Sequence, residues 1–246
     1  MTDPVRDFYE KKYASTWSGP EYDSRFTKMW YKAFLRHIVP LIELPAGSCV
    51  VEVGAGKGYL APALLKRGWD YTATDIAESA LAQVPVGEHC RTVRTEGERL
   101  PFSDGCFDLA ICQEVLEHVD SPERTIAECF RVVKVGGWLV FSSPSYLNGF
   151  LPIKLLADAG VGWAKRLLVL QIVDRTFMPW SLVRMIRRHG KILQRRGVRI
   201  APPWFERLDA RAPIFGDPVF AVENSCGHLF PFNLVGLHSL VLARKV

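Results

Sequence analysis

Three glycines at alternating positions, directly after an apolar run, are the residues of this sequence most clearly suited to holding a ligand. In Val50-Val51-Glu52-Val53-Gly54-Ala55-Gly56-Lys57-Gly58 a buried strand leads into a loop that larger side chains would obstruct, so main chain can come close to a bound molecule. The spacing excludes two phosphate-binding loops. A dinucleotide fingerprint, G-x-G-x-x-G, needs a glycine where Tyr59 stands; a P-loop, G-x-x-x-x-G-K-[ST], needs its first glycine at Val51 and its hydroxyl at Gly58. Asp75 closes a second strand-like run, where a carboxylate can accept protons from both hydroxyls of a ribose.

Acid-base chemistry has three candidate histidines. His118 stands at a predicted helix start, and His228 and His238 lie in or beside a long carboxy-terminal insert, with Glu223 near His228 in sequence. Tyr146 and Asn148 directly follow a predicted strand, at the edge where open α/β sheets place their ligands, and are expected to line an acceptor pocket. Cys49, Cys90, Cys106, Cys112, Cys129 and Cys226 are scattered, mostly in apolar runs, without C-x-x-C or His/Cys spacing; they read as buried thiols in a reducing compartment, and no metal is expected.

The elements that must position these groups alternate. Strands are predicted at Cys49 to Val53, Tyr71 to Thr74, near Arg91 to Arg94, at Phe107 to Cys112 and at Trp138 to Ser142; helices are predicted over Tyr59 to Arg67 with Gly68 as C-cap, over Ile76 to Gln83, and over Pro122 to Val133 with Ser121 as N-cap. This alternation implies right-handed crossovers and a doubly wound, parallel α/β sheet. An amphipathic helix over Phe26 to Leu44, with Trp30, Phe34, Ile38 and Leu41 on its apolar face, precedes the sheet. Beyond it come helical stretches at Leu151 to Val173 and Ser181 to His189, strands at Lys191 to Ile200 and Ser239 to Ala243, and a proline- and aromatic-rich insert from Ala201 to Leu237.

The glycine loop resembles motif I of the class I S-adenosylmethionine-dependent methyltransferases, and the similarity continues through Asp75, Glu96-Gly97-Glu98-Arg99-Leu100-Pro101-Phe102, Phe107-Asp108-Leu109-Ala110 and Val115-Leu116-Glu117-His118-Val119. It covers about residues 48 to 145, and the run from Glu96 to Val119 looks like that of the ubiquinone/menaquinone-biosynthesis branch. The resemblance implies a Rossmann-like sheet of seven strands, mostly parallel with an antiparallel last strand. It implies a cofactor site of Glu52, Gly54, Ala55, Gly56, Gly58, Asp75, Ile76, Glu96, Gly97 and Gln113, with Glu96 and the Gly97 N–H on the adenine and Gln113 beside the methionine portion. Two positions depart from the pattern: relatives usually carry Asp where Glu96 stands, and Val135 replaces the proline of the Lys-Pro-Gly-Gly turn before the fifth strand. In relatives the position of His118 is largely structural; His118 and His228 are the catalytic candidates.

The expected organisation is a helical cap at 1–45, the cofactor-binding core at 46–145, and the rest of the sheet at 146–246 with acceptor-side insertions at 146–178 and 201–237. The 246 residues, 48% of them hydrophobic and 23% charged, suit one such core. A net charge of +5 without any block of like charge argues against nucleic acid. An RNA- or protein-directed methyltransferase, or a noncatalytic S-adenosylmethionine-binding partner subunit, are the alternatives; against methylation of base amines, Cys112-Gln113-Glu114-Val115 stands where Asn/Asp-Pro-Pro-aromatic would be needed. Charges interrupt Leu151 to Val173, so it does not span a bilayer, although Lys154, Lys165 and Arg166 suit a peripheral membrane contact. Met1 to Lys12 lacks a secretory core, and a cytoplasmic protein is expected. The expected reaction is methylation of a small, fairly apolar acceptor on oxygen or carbon, with S-adenosylhomocysteine as product.

Overall fold

The computed structural model describes residues 4–14, 31–145, 155–156, 159–162, 177–198, 225–234 and 238–246. Tyr146, Asn148, Trp30, most of the Leu151 to Val173 stretch and most of the 201–237 insert lie outside these residues.

Seven strands form one sheet: β1 (Cys49–Val53), β2 (Asp70–Asp75), β3 (Cys90–Arg94), β4 (Phe107–Gln113), β5 (Val133–Pro144), β6 (Gly190–Val198) and β7 (His238–Lys245), in the spatial order β3-β2-β1-β4-β5-β7-β6. β1 pairs in parallel with β2 and β4, and β7 runs antiparallel between β5 and β6. The helices are α1 (Pro4–Ala14), α2 (Ala61–Leu65), α3 (Glu78–Leu81), α4 (Pro122–Val132) and α5 (Pro179–Arg187).

The strands read as near-continuous apolar runs because both faces of the sheet are covered. Alternate residues enter different cores: Val50, Leu109 and Ile111 pack with Phe34, Ile38, Leu64, Trp69 and Tyr71 on one face. Val51, Val53, Ala110 and Cys112 pack with Ile126, Phe130, Leu182 and Ile186 on the other. Ser121 caps α4 by accepting the Arg124 N–H at 3.4 Å, with Pro122 in the first turn where its missing N–H costs nothing. Gly68 takes the left-handed conformation expected of a helix-ending glycine, φ +74°.

The boundaries depart from expectation in four places. α2 and α3 are shorter than their apolar patterns suggest. β5 begins at Val133, directly after α4, and carries the Gly136–Gly137 turn within it. The leading segment closes with a π-helical turn, Phe34–Ile38, and a 3-10 turn, Val39–Leu41, forced by Pro40; Phe34 and Ile38 are buried as expected, while this change of pitch turns Leu41 outward to 44% exposure. Finally, α1 lies inside the expected helical cap but ahead of the one helix, Phe26 to Leu44, that the apolar period placed there. The six cysteines are all free thiols.

Candidate functional site

The order of strands reverses between β1 and β4, and there the carboxyl ends of adjacent strands diverge and leave a crevice. The glycine loop occupies that place. Gly54 has φ +70°, and a Cβ on it would lie 2.1 Å from Val115 Cγ2, so only glycine fits beneath the β4–α4 connection. The Ala55 N–H donates to Thr74 O at 2.8 Å, tying the loop to β2.

Asp75 joins the loop to the start of α3. Its Oδ2 accepts the Gly56 N–H at 2.8 Å and its Oδ1 accepts the Ala77 N–H at 2.9 Å. Burial pushes this carboxyl up, against the pull of the N–H groups of Ala77, Gly56 and Ile76. The Thr95 N–H donates to Asp75 O at 3.0 Å, which brings the Glu96–Gly97 turn to the same edge. The Glu96 side chain is exposed, while the Gly97 α-carbon is wedged between Val53 and Thr125, where a Cβ would sit 3.1 Å from each.

Glu52 lies one layer below. Tyr71 Oη donates to its Oε2, and burial raises the carboxyl to about 8, so it is protonated at neutral pH. Gln113 ends β4, one residue beyond Cys112, which pairs with Val53; its side chain is buried and neither amide atom has a hydrogen-bond partner. Such an orphaned amide is costly unless a ligand supplies its partners. With Asp75 at the same carboxyl edge two strands away, it fits a molecule that carries a ribose and an amino acid.

A second group of polar residues adjoins the first. Glu114, just past β4, has φ +55°, rare for a side chain of its size. Its Oε1 accepts from Ser142 Oγ at 2.8 Å and its Oε2 lies 2.6 Å from His238 Nδ1. Burial opposes ionisation of Glu114, but His238, Ser142 and Glu117 outweigh it and hold the carboxyl below the usual range. Buried Glu117 receives Ser143 Oγ at 3.4 Å and has His118 Nε2 at 3.7 Å.

α1 covers this edge. Glu10 accepts the N–H groups of Glu78 and Ser79 at 2.8 and 3.1 Å, capping α3 from outside, and a Cβ on Gly56 would be 3.1 Å from Tyr13 Oη. The Tyr9 ring stands edge-on to His118, centroids 5.7 Å apart.

Of the residues expected at the site, the glycine loop, Asp75, Ile76, Glu96, Gly97 and Gln113 therefore converge on one edge, Glu52 supports them from below, and His118 adjoins them. His228 is exposed and lines a different cavity, of about 530 Å³, with Leu41, Trp138, Arg195 and Asn233, to which the glycine loop contributes nothing. The sequence reading missed the use of Glu114, Glu117 and α1; Glu117 stood in the resembling run and Glu114 directly before it, and only their side-chain partners, remote in sequence, reveal their use. Among the described residues no group of three or more His, Cys, Asp or Glu is arranged to hold a metal ion, and no helix is long and apolar enough to cross a membrane.

The chain is similar to known methyltransferases. The family model described as a methyltransferase domain matches residues 51–141. A ubiquinone biosynthesis O-methyltransferase of Chromobacterium violaceum is 34% identical over 160 residues, which are 61% of this chain and 66% of that protein. Its counterpart in Burkholderia pseudomallei strain K96243 is 30% identical over 165 residues, 63% of this chain and 70% of the relative. The chain thus spans about two thirds of the length of the curated relatives it matches. Among solved structures, a geranyl diphosphate C-methyltransferase from Streptomyces coelicolor superposes with a TM-score of 0.65 at 14% identity, covering 100% of this chain and 99% of that one. A possible histamine N-methyltransferase from Thermotoga maritima gives 0.62 at 18% identity, covering 97% and 100%. At these identities the two structures speak for the fold alone.

Proposed function

This chain belongs to the class I S-adenosylmethionine-dependent methyltransferases, and we propose that it transfers the methyl group of S-adenosylmethionine to a small, fairly apolar acceptor such as a hydroxylated aromatic or isoprenoid-bearing ring. The observation that carries this reading is the joining of Gly56 and Ala77 through the Asp75 carboxylate, on the same sheet edge as the orphaned Gln113 amide. When bound, the cofactor supplies an electrophilic methyl on a sulfonium. The protein's own work is to hold and orient: Asp75 grips the ribose, the glycine loop admits the amino acid portion, the Glu96–Gly97 turn borders the adenine, and Gln113 pairs with the methionine end. Aligning acceptor and methyl while excluding water can itself supply several kcal/mol of the barrier reduction.

The division into a cap at 1–45, a core at 46–145 and a remainder at 146–246 belongs to the same reading, with the cap and the insertions at 146–178 and 201–237 closing over the acceptor, and Tyr146 and Asn148 among its contacts. The docking of α1 through Glu10 supports it. No metal is required by this scheme, a small molecule rather than nucleic acid is the partner, and the reaction takes place in the cytoplasm.

The test is incubation of the purified protein with S-adenosylmethionine and a panel of hydroxylated rings with and without a prenyl tail, reading S-adenosylhomocysteine and methylated product by mass spectrometry. Product with a ring acceptor is expected; binding of the cofactor without turnover on any small molecule, alongside methylation of RNA or protein, would contradict the proposal.

A further inference from the structure

The edge of the sheet farthest from β3 is cationic. Between Phe177 and Val198 the chain carries Arg184, Arg187, Arg188, Lys191, Arg195 and Arg196 and no Asp or Glu. Apolar residues separate them, so no run of like charge marks them in the sequence; the short connection from α5 to β6 gathers them at one edge. α5 buries Leu182, Met185 and Ile186 and leaves Arg184, Arg187 and Arg188 exposed. Arg195 stands in β6 opposite Val241, which packs in the same core as those α5 side chains, so its Cβ is on the α5 face of the sheet. Its Nε and Nη2 are buried and have no hydrogen-bond partner, and among the described residues neither Arg187 nor Arg195 forms an ion pair with a carboxylate. Burial and the charge of Arg187 both push the Arg195 guanidinium below the usual arginine range.

A buried cation without a counter-charge is costly, and N–H donors without acceptors add to that cost. The negative end of the α5 dipole accounts for Arg187, in the last turn of that helix, but not for Arg195, which stands on a strand. Nε and Nη2 are the two parallel donors with which a guanidinium grips an oxyanion side-on. We propose that Arg195 and Arg187 form a binding site for a phosphoryl group, separate from the glycine loop, with two phosphoryl oxygens on the Arg195 fork and a third toward Arg187. A dianionic phosphoryl group matches the two cations in charge and brings one oxygen more than a carboxylate, which the fork alone would occupy. β6 lies three strands from β4 in the sheet, so this site is distinct from the crevice at β1 and β4 and does not depend on what that crevice binds. Soluble diphosphates and anionic phospholipid head groups both offer this chemistry.

The wild type is compared with Arg195→Met, Arg187→Gln and, as a control, Lys191→Gln, which removes an exposed charge from the same strand. Calorimetry with inorganic diphosphate is expected to show saturable one-site binding to the wild type, weakened about 10-fold or more in Arg195→Met and about 3-fold or more in Arg187→Gln, but less than about 2-fold in Lys191→Gln. In phosphate-free buffer the unfolding midpoint of Arg195→Met is expected at or above that of the wild type, because an uncompensated charge leaves the interior. Diphosphate is expected to raise the midpoint of the wild type but not of this variant. Vesicles separate the two sources. Recruitment to vesicles of equal parts phosphatidylglycerol and phosphatidylcholine but not to phosphatidylcholine alone, abolished in Arg195→Met and displaced by diphosphate, would assign the site to a lipid head group; diphosphate binding without recruitment would assign it to a soluble ligand. Absence of both, losses in Lys191→Gln equal to those in Arg195→Met, recruitment that Arg195→Met leaves unchanged, or a markedly destabilised Arg195→Met would overturn the proposal. Affinity for S-adenosylhomocysteine is expected to stay within about 2-fold of wild type in every variant, and its loss in Arg195→Met would also overturn a separate site. A wild type that binds diphosphate but not the nucleoside would refute the methyltransferase reading and leave this proposal standing.

Discussion

Gly54 tolerates nothing larger than hydrogen, since both its φ of +70° and the Val115 methyl 2.1 Å from a would-be Cβ exclude a side chain. Gly54→Ala is expected to destabilise the fold by about 1–3 kcal/mol and to weaken S-adenosylhomocysteine binding at least 10-fold, measured by denaturant unfolding and calorimetry. Asp75→Asn keeps the shape but removes the charge that a pair of ribose hydroxyls would address; its expected loss of affinity is roughly 10- to 100-fold. Glu52 gives a pH signature. Its folded carboxyl titrates near 8 and its unfolded one at 4.5, so the stability it allows is complete below pH 4.5 and declines as pH rises toward 8, where the folded chain still holds a proton that the unfolded chain has released. Glu52→Gln is therefore expected to flatten the loss of stability between pH 5.5 and 8.5, followed by thermal unfolding; an unchanged slope would refute the assignment. At this scale the sequence spoke clearly wherever spacing along the chain carried the meaning, as in the glycine loop and Asp75. It named His238 as a candidate but was silent on its pairing with Glu114, because their contact spans 124 residues and depends on the antiparallel seventh strand.

At the scale of elements, burial on both faces made the strands legible: Cys49–Val53 is apolar but for Glu52, Phe107–Gln113 is apolar but for Asp108 and the terminal Gln113, and both fall within a residue of expectation. α4 announced itself through Ser121 and Pro122. α1 did not, because its docking is polar: Glu10 caps α3 and bridges to Arg94 at 3.4 Å, and no period of apolar residues records that. Leu41 shows the converse, an apolar residue at helical spacing that a proline-bearing turn directs to solvent. Glu10→Ala is expected to leave the sheet intact while loosening α1 and the first turn of α3 by about 1 kcal/mol, the usual cost of a lost cap. Faster amide exchange confined to Pro4–Ala14 and Glu78–Leu81 would be its mark, and exchange unchanged there would show that α1 is held by other means.

For the whole molecule, the strand order β3-β2-β1-β4-β5-β7-β6 places the glycine loop, the Asp75 edge and the Glu114–His238 pair along one border of one sheet, so cofactor and acceptor can meet without domain motion. The reversal of strand order at β1 and β4 is where the proposed ligand would lie. The measurement closest to the centre of the account is titration calorimetry of the purified wild-type protein with S-adenosylhomocysteine, NAD and ATP in separate runs. Saturable heat for S-adenosylhomocysteine alone, weakened in Asp75→Asn, is the predicted result; heat for NAD or ATP and none for S-adenosylhomocysteine would contradict it.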